Sequence, residues 1–164
     1  TKAPWNLSRW GKFPDNAYVG VSICNQRMFD KAMIYLSDVE AKHKWLSIEP
    51  LLEEIKIQPI DLDDISWCVI GALTGSKGKL IEFQQTHTGL SLNKLTAAGN
   101  QFVLLPQLEW VKKIVQAADD AGIPVWLKEN IYKLLMEAPA EDHDLYWEDM
   151  SHLRQEIPER RVTV

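Results

Sequence analysis

Apolar residues along this chain gather in short runs that stop at glycine, proline or a polar pair. Lys44-Trp45-Leu46-Ser47-Ile48 ends at Glu49-Pro50, and Ile65-Ser66-Trp67-Cys68-Val69-Ile70 ends at Gly71, with Thr74-Gly75 close behind. Ala17 to Cys24 sets Tyr18, Val19, Val21 and Ile23 around Gly20 and ends in Cys24-Asn25-Gln26. Pro124 to Leu127 ends in Lys128-Glu129-Asn130. Short runs of β-branched and aromatic residues bounded in this way predict strands buried in a parallel sheet.

Between them the period changes to that of helices. Asn25 is placed as an N-cap, with a helix predicted over Gln26–Ala41 whose face carries Met28, Ala32, Tyr35, Leu36 and Val39. The clearest helix is Leu108–Ala121, with Val111, Ile114, Val115, Ala118 and Ala121 as its apolar stripe, Gly122 at C′ and Pro124 beyond. Trp5 to Trp10 reads as a short helix, and Leu51–Ile55 as a helical or irregular connector too brief for a full crossover helix. Over 76–106 the pattern is weak, which predicts an insert or lid. Leu90, Leu92 and Leu95 suggest a helical turn there, and Gln101–Leu105 a short edge strand. The tail, 131–164, reads as peripheral: acidic from Glu137 to Asp149, with Tyr146 and Trp147 as anchors and Arg160-Arg161 near its end. The alternation predicts one α/β domain: a parallel sheet of about four strands with flanking helices and right-handed crossovers.

Composition narrows this picture further. A length of 164 residues suits one domain, and a net charge of −5 argues mildly against a general nucleic-acid surface. Apolar runs fall short of a membrane span, and the N-terminus carries no signal-peptide pattern. Two cysteines give no disulfide framework, so a cytoplasmic location is expected. Thr1 is not a natural start, and the chain is expected to be cut from a longer one. No metal-ligand spacing, P-loop or Gly-x-Ser-x-Gly motif appears, so no metal site is predicted.

A carboxylate at a strand's carboxyl end lies where α/β folds place their ligands. Glu49 therefore reads either as a base or hydrogen-bond acceptor for an amine or ribose, or as a structural carboxylate pairing with Lys128. Lys128 reads as an anion-binding or reactive amine, or as the other half of that salt bridge. These two are the catalytic candidates. Asn25 is a helix cap first and a ligand contact second, with Gln26 beside it. Gly71, Thr74 and Gly75 would let backbone N–H groups approach a phosphate or carboxylate, or form an ordinary loop. Cys24 and Glu129 are candidates for substrate contact, although a free cysteine is commonly a small buried hydrophobe; Cys68 reads as core and His87 as a solvated loop residue. Cys24, Glu49, Thr74 and Lys128 are expected to converge at the strands' carboxyl ends.

The motifs Val19-Gly20-Val21-Ser22-Ile23-x-Asn25-Gln26, Leu46-Ser47-Ile48-Glu49-Pro50-Leu51-Leu52 and Trp67-x-Val69-Ile70-Gly71-x-x-x-Gly75, with the helix Leu108–Ala121 running into Gly122-Ile123-Pro124-Val125-Trp126-Leu127-Lys128, carry a family resemblance. Together they resemble a phage and bacterial family known as a domain of unknown function, related to radical S-adenosylmethionine enzymes. The resemblance covers most of 1–130, and it makes Thr1-Lys2-x-Pro4 the end of a preceding strand. It implies the C-terminal half of a partial (β/α) TIM-like barrel lining a cofactor and substrate pocket. Asn25, Gln26, Glu49 and the Gly71–Gly75 turn would face the cofactor. The cluster-binding cysteines would lie upstream, so this chain alone is expected to hold no cofactor. S-adenosylmethionine and an iron–sulfur cluster would belong to a full-length protein. The sequence departs from the family pattern in three places: Cys24 replaces a usual glutamate, Ala72-Leu73-Thr74 a Gly-Glu-Ser type run, and Glu129 a common glutamine. Those departures open the alternative of a non-catalytic binding or assembly module. A half barrel would leave the Tyr18–Cys24 edge, Trp5 and Trp10 uncovered, which implies a homodimer or a missing N-terminal half.

Overall fold

The computed structural model describes residues 1–91, 95–98, 101–136, 145 and 153–158. Among them run seven strands: β1 (Tyr18–Ile23), β2 (His43–Ile48), β3 (Trp67–Ile70), β4 (Leu73–Gly75), β5 (Leu95–Ala98), β6 (Gln101–Leu104) and β7 (Val125–Leu127). The helices are α1 (Gln26–Ser37), α2 (Lys77–Thr86), α3 (Leu108–Asp120) and α4 (Tyr132–Met136), with 3₁₀ turns at Pro4–Trp10, Pro59–Leu62 and Glu129–Ile131.

The four apolar runs form one parallel sheet in the order β1-β2-β3-β7. Its register places Val21, Leu46, Cys68 and Val125 in one row and Ile23, Ile48, Ile70 and Leu127 in another. Both rows are buried and share a core with Phe29, Ala32 and Leu36 of α1 and Val111, Ile114, Val115 and Ala118 of α3. Because side chains alternate along a strand, the intervening positions face the other way. There Trp45 meets Trp67 at 5.6 Å, and Trp67 meets Trp126 at 6.2 Å edge-on. The Trp45 ring lies over Gly20, where a Cβ would come within 2.2 Å of the indole.

Helix ends follow the sequence cues. The Asn25 side chain accepts a hydrogen bond from the Met28 N–H at 2.9 Å, capping α1. Beyond α3, Gly122 takes φ 67°, its N–H donates to Asp119 O, and the Ile123 N–H donates to Ala118 O. This is a Schellman turn, in which a left-handed glycine closes the last carbonyls.

Both flanks of the parallel sheet carry added chain. The Thr1 ammonium donates to Gly20 O at 2.8 Å, and the Ser22 N–H donates to Thr1 O at 2.7 Å. Bonds to the residues either side of Val21 are the ladder pattern of a parallel strand. On the opposite flank the Leu127 N–H donates to Arg154 O, the Glu156 N–H donates to Val125 O, and Trp126 bridges Gln155 antiparallel. The Arg154 guanidinium ties this segment to Asp119 at the end of α3 and to Glu156.

The stretch 76–106 departs from its weak pattern. It holds α2 and two strands, which join β4 in an antiparallel sheet ordered β4-β6-β5. The run at Gln101 is thus a central strand rather than an edge, and Leu95 opens β5 rather than completing a helical turn. Leu92 lies outside the described residues. Residues 51–55 are irregular, and α1 stops at Ser37, short of Ala41. The tail is less peripheral than its composition suggests, because Leu145 and Leu153 are buried in the core. Tyr146, Trp147, Arg160 and Arg161 lie outside the described residues. No helix among the described residues is long and apolar enough to cross a membrane.

Candidate functional site at the strand ends

The last paired row of the parallel sheet is Ile23, Ile48, Ile70 and Leu127. The next residue on each strand is therefore Cys24, Glu49, Gly71 and Lys128. Backbone bonds lock these ends together: the Gly71 N–H donates to Ile48 O, the Leu51 N–H to Gly71 O, the Leu52 N–H to Cys24 O, and the Lys128 N–H to Ile70 O, all within 2.9–3.1 Å.

Glu49 and Lys128 end strands that are not neighbours, since β3 lies between them. Strands spaced about 4.8 Å apart would put such positions roughly 10 Å apart. They nevertheless meet, with Lys128 Nζ donating to Glu49 Oε2 at 2.7 Å. The residue between them is Gly71, where a Cβ would stand 2.8 Å from Glu49 Oε1 and 3.0 Å from its Cδ. A glycine at this point lets the carboxylate lie across the end of β3. The pair is part-buried, with side-chain exposures of 25% for Glu49 and 41% for Lys128, so water reaches the lysine.

Asn130 fixes the other carboxylate oxygen. Its Nδ2 donates to Glu49 Oε1 at 3.1 Å and to Ala72 O at 3.0 Å, while Oδ1 accepts from the Ala72 N–H at 3.0 Å. Those two contacts with Ala72 define which end of the amide faces Glu49. Each carboxylate oxygen thus has one side-chain donor and keeps a further lone pair, and the Lys128 ammonium has further N–H donors, so both groups can meet a partner.

The other candidates divide. Asn25 is used as the cap of α1. Gln26 holds the connector, its backbone N–H donating to Glu53 Oε1 at 2.8 Å and its Oε1 accepting from the Lys56 N–H at 2.6 Å. Thr74 and Gly75 leave the row, because the chain turns after Ala72 into β4, where Thr74 pairs with Val103 in the antiparallel sheet. Thr74 instead lines a cavity of about 360 Å³ together with Glu129 and Asn130. Sequence reasoning missed Asn130; its signal was a polar amide two residues past a strand-ending lysine. His87 is exposed and stacks on Phe83 at 4.1 Å.

A family model described as "Protein of unknown function (DUF5131)" matches residues 2–88. The chain belongs to this family. The match takes in Cys24, Asn25, Gln26, Glu49, Gly71, Thr74 and Gly75 and ends before Lys128, Glu129 and Asn130. No curated protein and no solved structure matches the chain.

The two thiols of this DUF5131 protein differ in environment. Burial pushes the Cys24 thiol up; Lys2 opposes that shift and Glu53 adds to it, and Sγ lies 3.1 Å from Met28 Sδ. Burial alone pushes Cys68 from 9.0 to about 12. A thiol raised in this way is a weak nucleophile near neutral pH. A maleimide or disulfide reagent at pH 8 is expected to modify Cys24 slowly and Cys68 only on unfolding, and fast labelling of Cys68 in the folded protein would contradict its burial. The linkage has a definite sign. Folding favours the protonated thiol, so the contribution of Cys68 to stability is complete below pH 9 and is lost as pH rises toward 12. Replacing Cys68 with valine should flatten that alkaline decline in pH-dependent unfolding. Among the described residues no group of three or more His, Cys, Asp or Glu side chains is placed to hold a metal ion.

Proposed function

We propose that the row Cys24–Glu49–Gly71–Lys128 is a ligand site in the C-terminal half of a partial (β/α) barrel, and that its ligand is S-adenosylmethionine. The observation that carries this reading is the Glu49–Lys128 pair meeting over Gly71 at the carboxyl ends of a parallel sheet. The resemblance to a family related to radical S-adenosylmethionine enzymes gives the ligand its identity. The parallel-type bonding of Thr1 beside Val21 adds support, since it is how a preceding parallel strand would end. Lys128 would donate to the carboxylate or a ribose oxygen of the cofactor, and Glu49 would accept from its amine or a ribose hydroxyl. An iron–sulfur cluster does not fit the residues present: it needs three or four thiolates, and Cys24 and Cys68 are two, one of them in the core. No reaction step is therefore assigned to this chain.

Calorimetric titration with S-adenosylmethionine and S-adenosylhomocysteine tests the site. Saturable binding is expected, weakened at least tenfold by Lys128→Ala and by Glu49→Gln. Wild-type protein that shows no saturable heat at millimolar ligand would overturn the reading.

A second reading, an assembly module that needs no small ligand, is favoured by Trp10, which is 76% exposed, and by the flank of β1. Thr1 bonds that flank at Gly20 and Ser22. That reading expects a homodimer in light scattering at micromolar concentration that Trp10→Ala weakens. A stable monomer would rule it out.

A further inference from the structure

The cavity beside Asn130 has a composition of its own. It lies between the antiparallel sheet and the segment after β7 and has a volume of about 360 Å³, within the range of small-ligand sites. Its floor is one cross-strand row, because Thr74 and Thr96 both pair with Val103 and all three line the cavity. Two hydroxyls thus flank one apolar side chain. Glu129, Tyr132 and Lys133 line it from the other side.

Two charged residues line it, one of each sign. Among the described residues Lys133 forms no ion pair, its Nζ contacting Thr96 Oγ1 at 3.5 Å, and Glu129 likewise forms none. An unpaired ammonium beside a hydroxyl offers donors to a carboxylate, and an unpaired carboxylate offers acceptors to an ammonium. Val103 and Tyr132 add apolar lining. A ligand that was only anionic would be opposed by Glu129, and one that was only cationic by Lys133. The complementary molecule carries both charges and a short apolar body.

We propose that this cavity binds a free α-amino acid with an apolar side chain, its carboxylate held by Lys133 and Thr96 and its ammonium by Glu129. The proposal goes beyond the strand-end reading and does not depend on it, since neither Glu49 nor Lys128 lines the cavity. Asn130 alone belongs to both places, which makes the cavity the neighbouring compartment of the same mouth.

The test is a ¹⁵N–¹H titration of the chain with L-leucine, alongside 3-methylbutylamine, which lacks the carboxylate, and 4-methylpentanoate, which lacks the ammonium. Saturable shifts at the Thr96, Val103 and Lys133 amides are expected with L-leucine, with both analogues at least tenfold weaker. Lys133→Ala and Glu129→Gln should each weaken L-leucine at least tenfold, while Lys79→Ala on α2 leaves it unchanged. Absence of saturable shifts with L-leucine, or equal binding of either analogue, overturns the proposal on wild-type protein without relying on any variant's folding. Loss of adenosyl binding with L-leucine binding intact would overturn the strand-end reading alone, and the reverse outcome would overturn this one alone.

Discussion

Leu46→Ala should be among the most destabilising single substitutions in this chain, lowering stability by about 2–5 kcal/mol. Leu46 sits midway along β2, paired to Val21 on one side and Cys68 on the other, and is 0% exposed. Truncation to alanine removes apolar contact and leaves a void that neighbouring strands, fixed on both sides by ladder bonds, cannot close. For a domain of this size the thermal midpoint should fall by roughly 4–20 °C. Trp10→Ala, which removes a larger but 76% exposed side chain, should shift stability by no more than about 0.5 kcal/mol in the monomer. Denaturant unfolding of the two variants checks the order; a loss below about 1 kcal/mol for Leu46→Ala would mean that β2 is not the centre of the core.

Gly71→Ala should cost about 1–3 kcal/mol by overpacking and should break the Glu49–Lys128 contact. The added methyl would meet the Glu49 Oε1, Cδ and Cγ atoms at 2.8, 3.0 and 3.1 Å, all closer than van der Waals contact allows. Either the carboxylate swings away from Lys128 and Asn130 or the end of β3 moves. The cause can be isolated with a double-mutant cycle. Glu49→Ala removes the colliding atoms, so Gly71→Ala should cost markedly less in that background than in the wild type. Equal costs in both backgrounds would show that the glycine serves the backbone and not the pair. The ion pair itself contributes little in this accounting, because its lysine is partly in water.

The parallel sheet was legible because its strands announce themselves locally, with apolar runs that stop at Pro50, Gly71 and Lys128. The helix α3 was legible for the same reason, having both a stripe and a Schellman glycine. By contrast α2 buries a single leucine, Leu80, so its sequence has no apolar period to read. Strands β4, β5 and β6 span three or four residues each, too few to show alternation, and β4 joins β6 across a gap that no local pattern encodes. Reading Thr74 as a strand-end residue of the parallel sheet failed at that point, because two strands start almost back to back at Trp67 and Leu73. Glu49 and Lys128 could be named from the sequence. That they touch depends on the sheet order placing Gly71 between them, which is a fact of topology. Asn130 acts through the backbone of Ala72, a partner 58 positions away that composition cannot reveal.

The β7 flank of the parallel sheet bears on how the molecule could polymerise. Along β7 the antiparallel segment 153–156 already uses the outward groups of Val125 and Leu127. A flank whose outward groups are already bonded offers no template, so strand addition at Val125 and Leu127 is closed to a second chain.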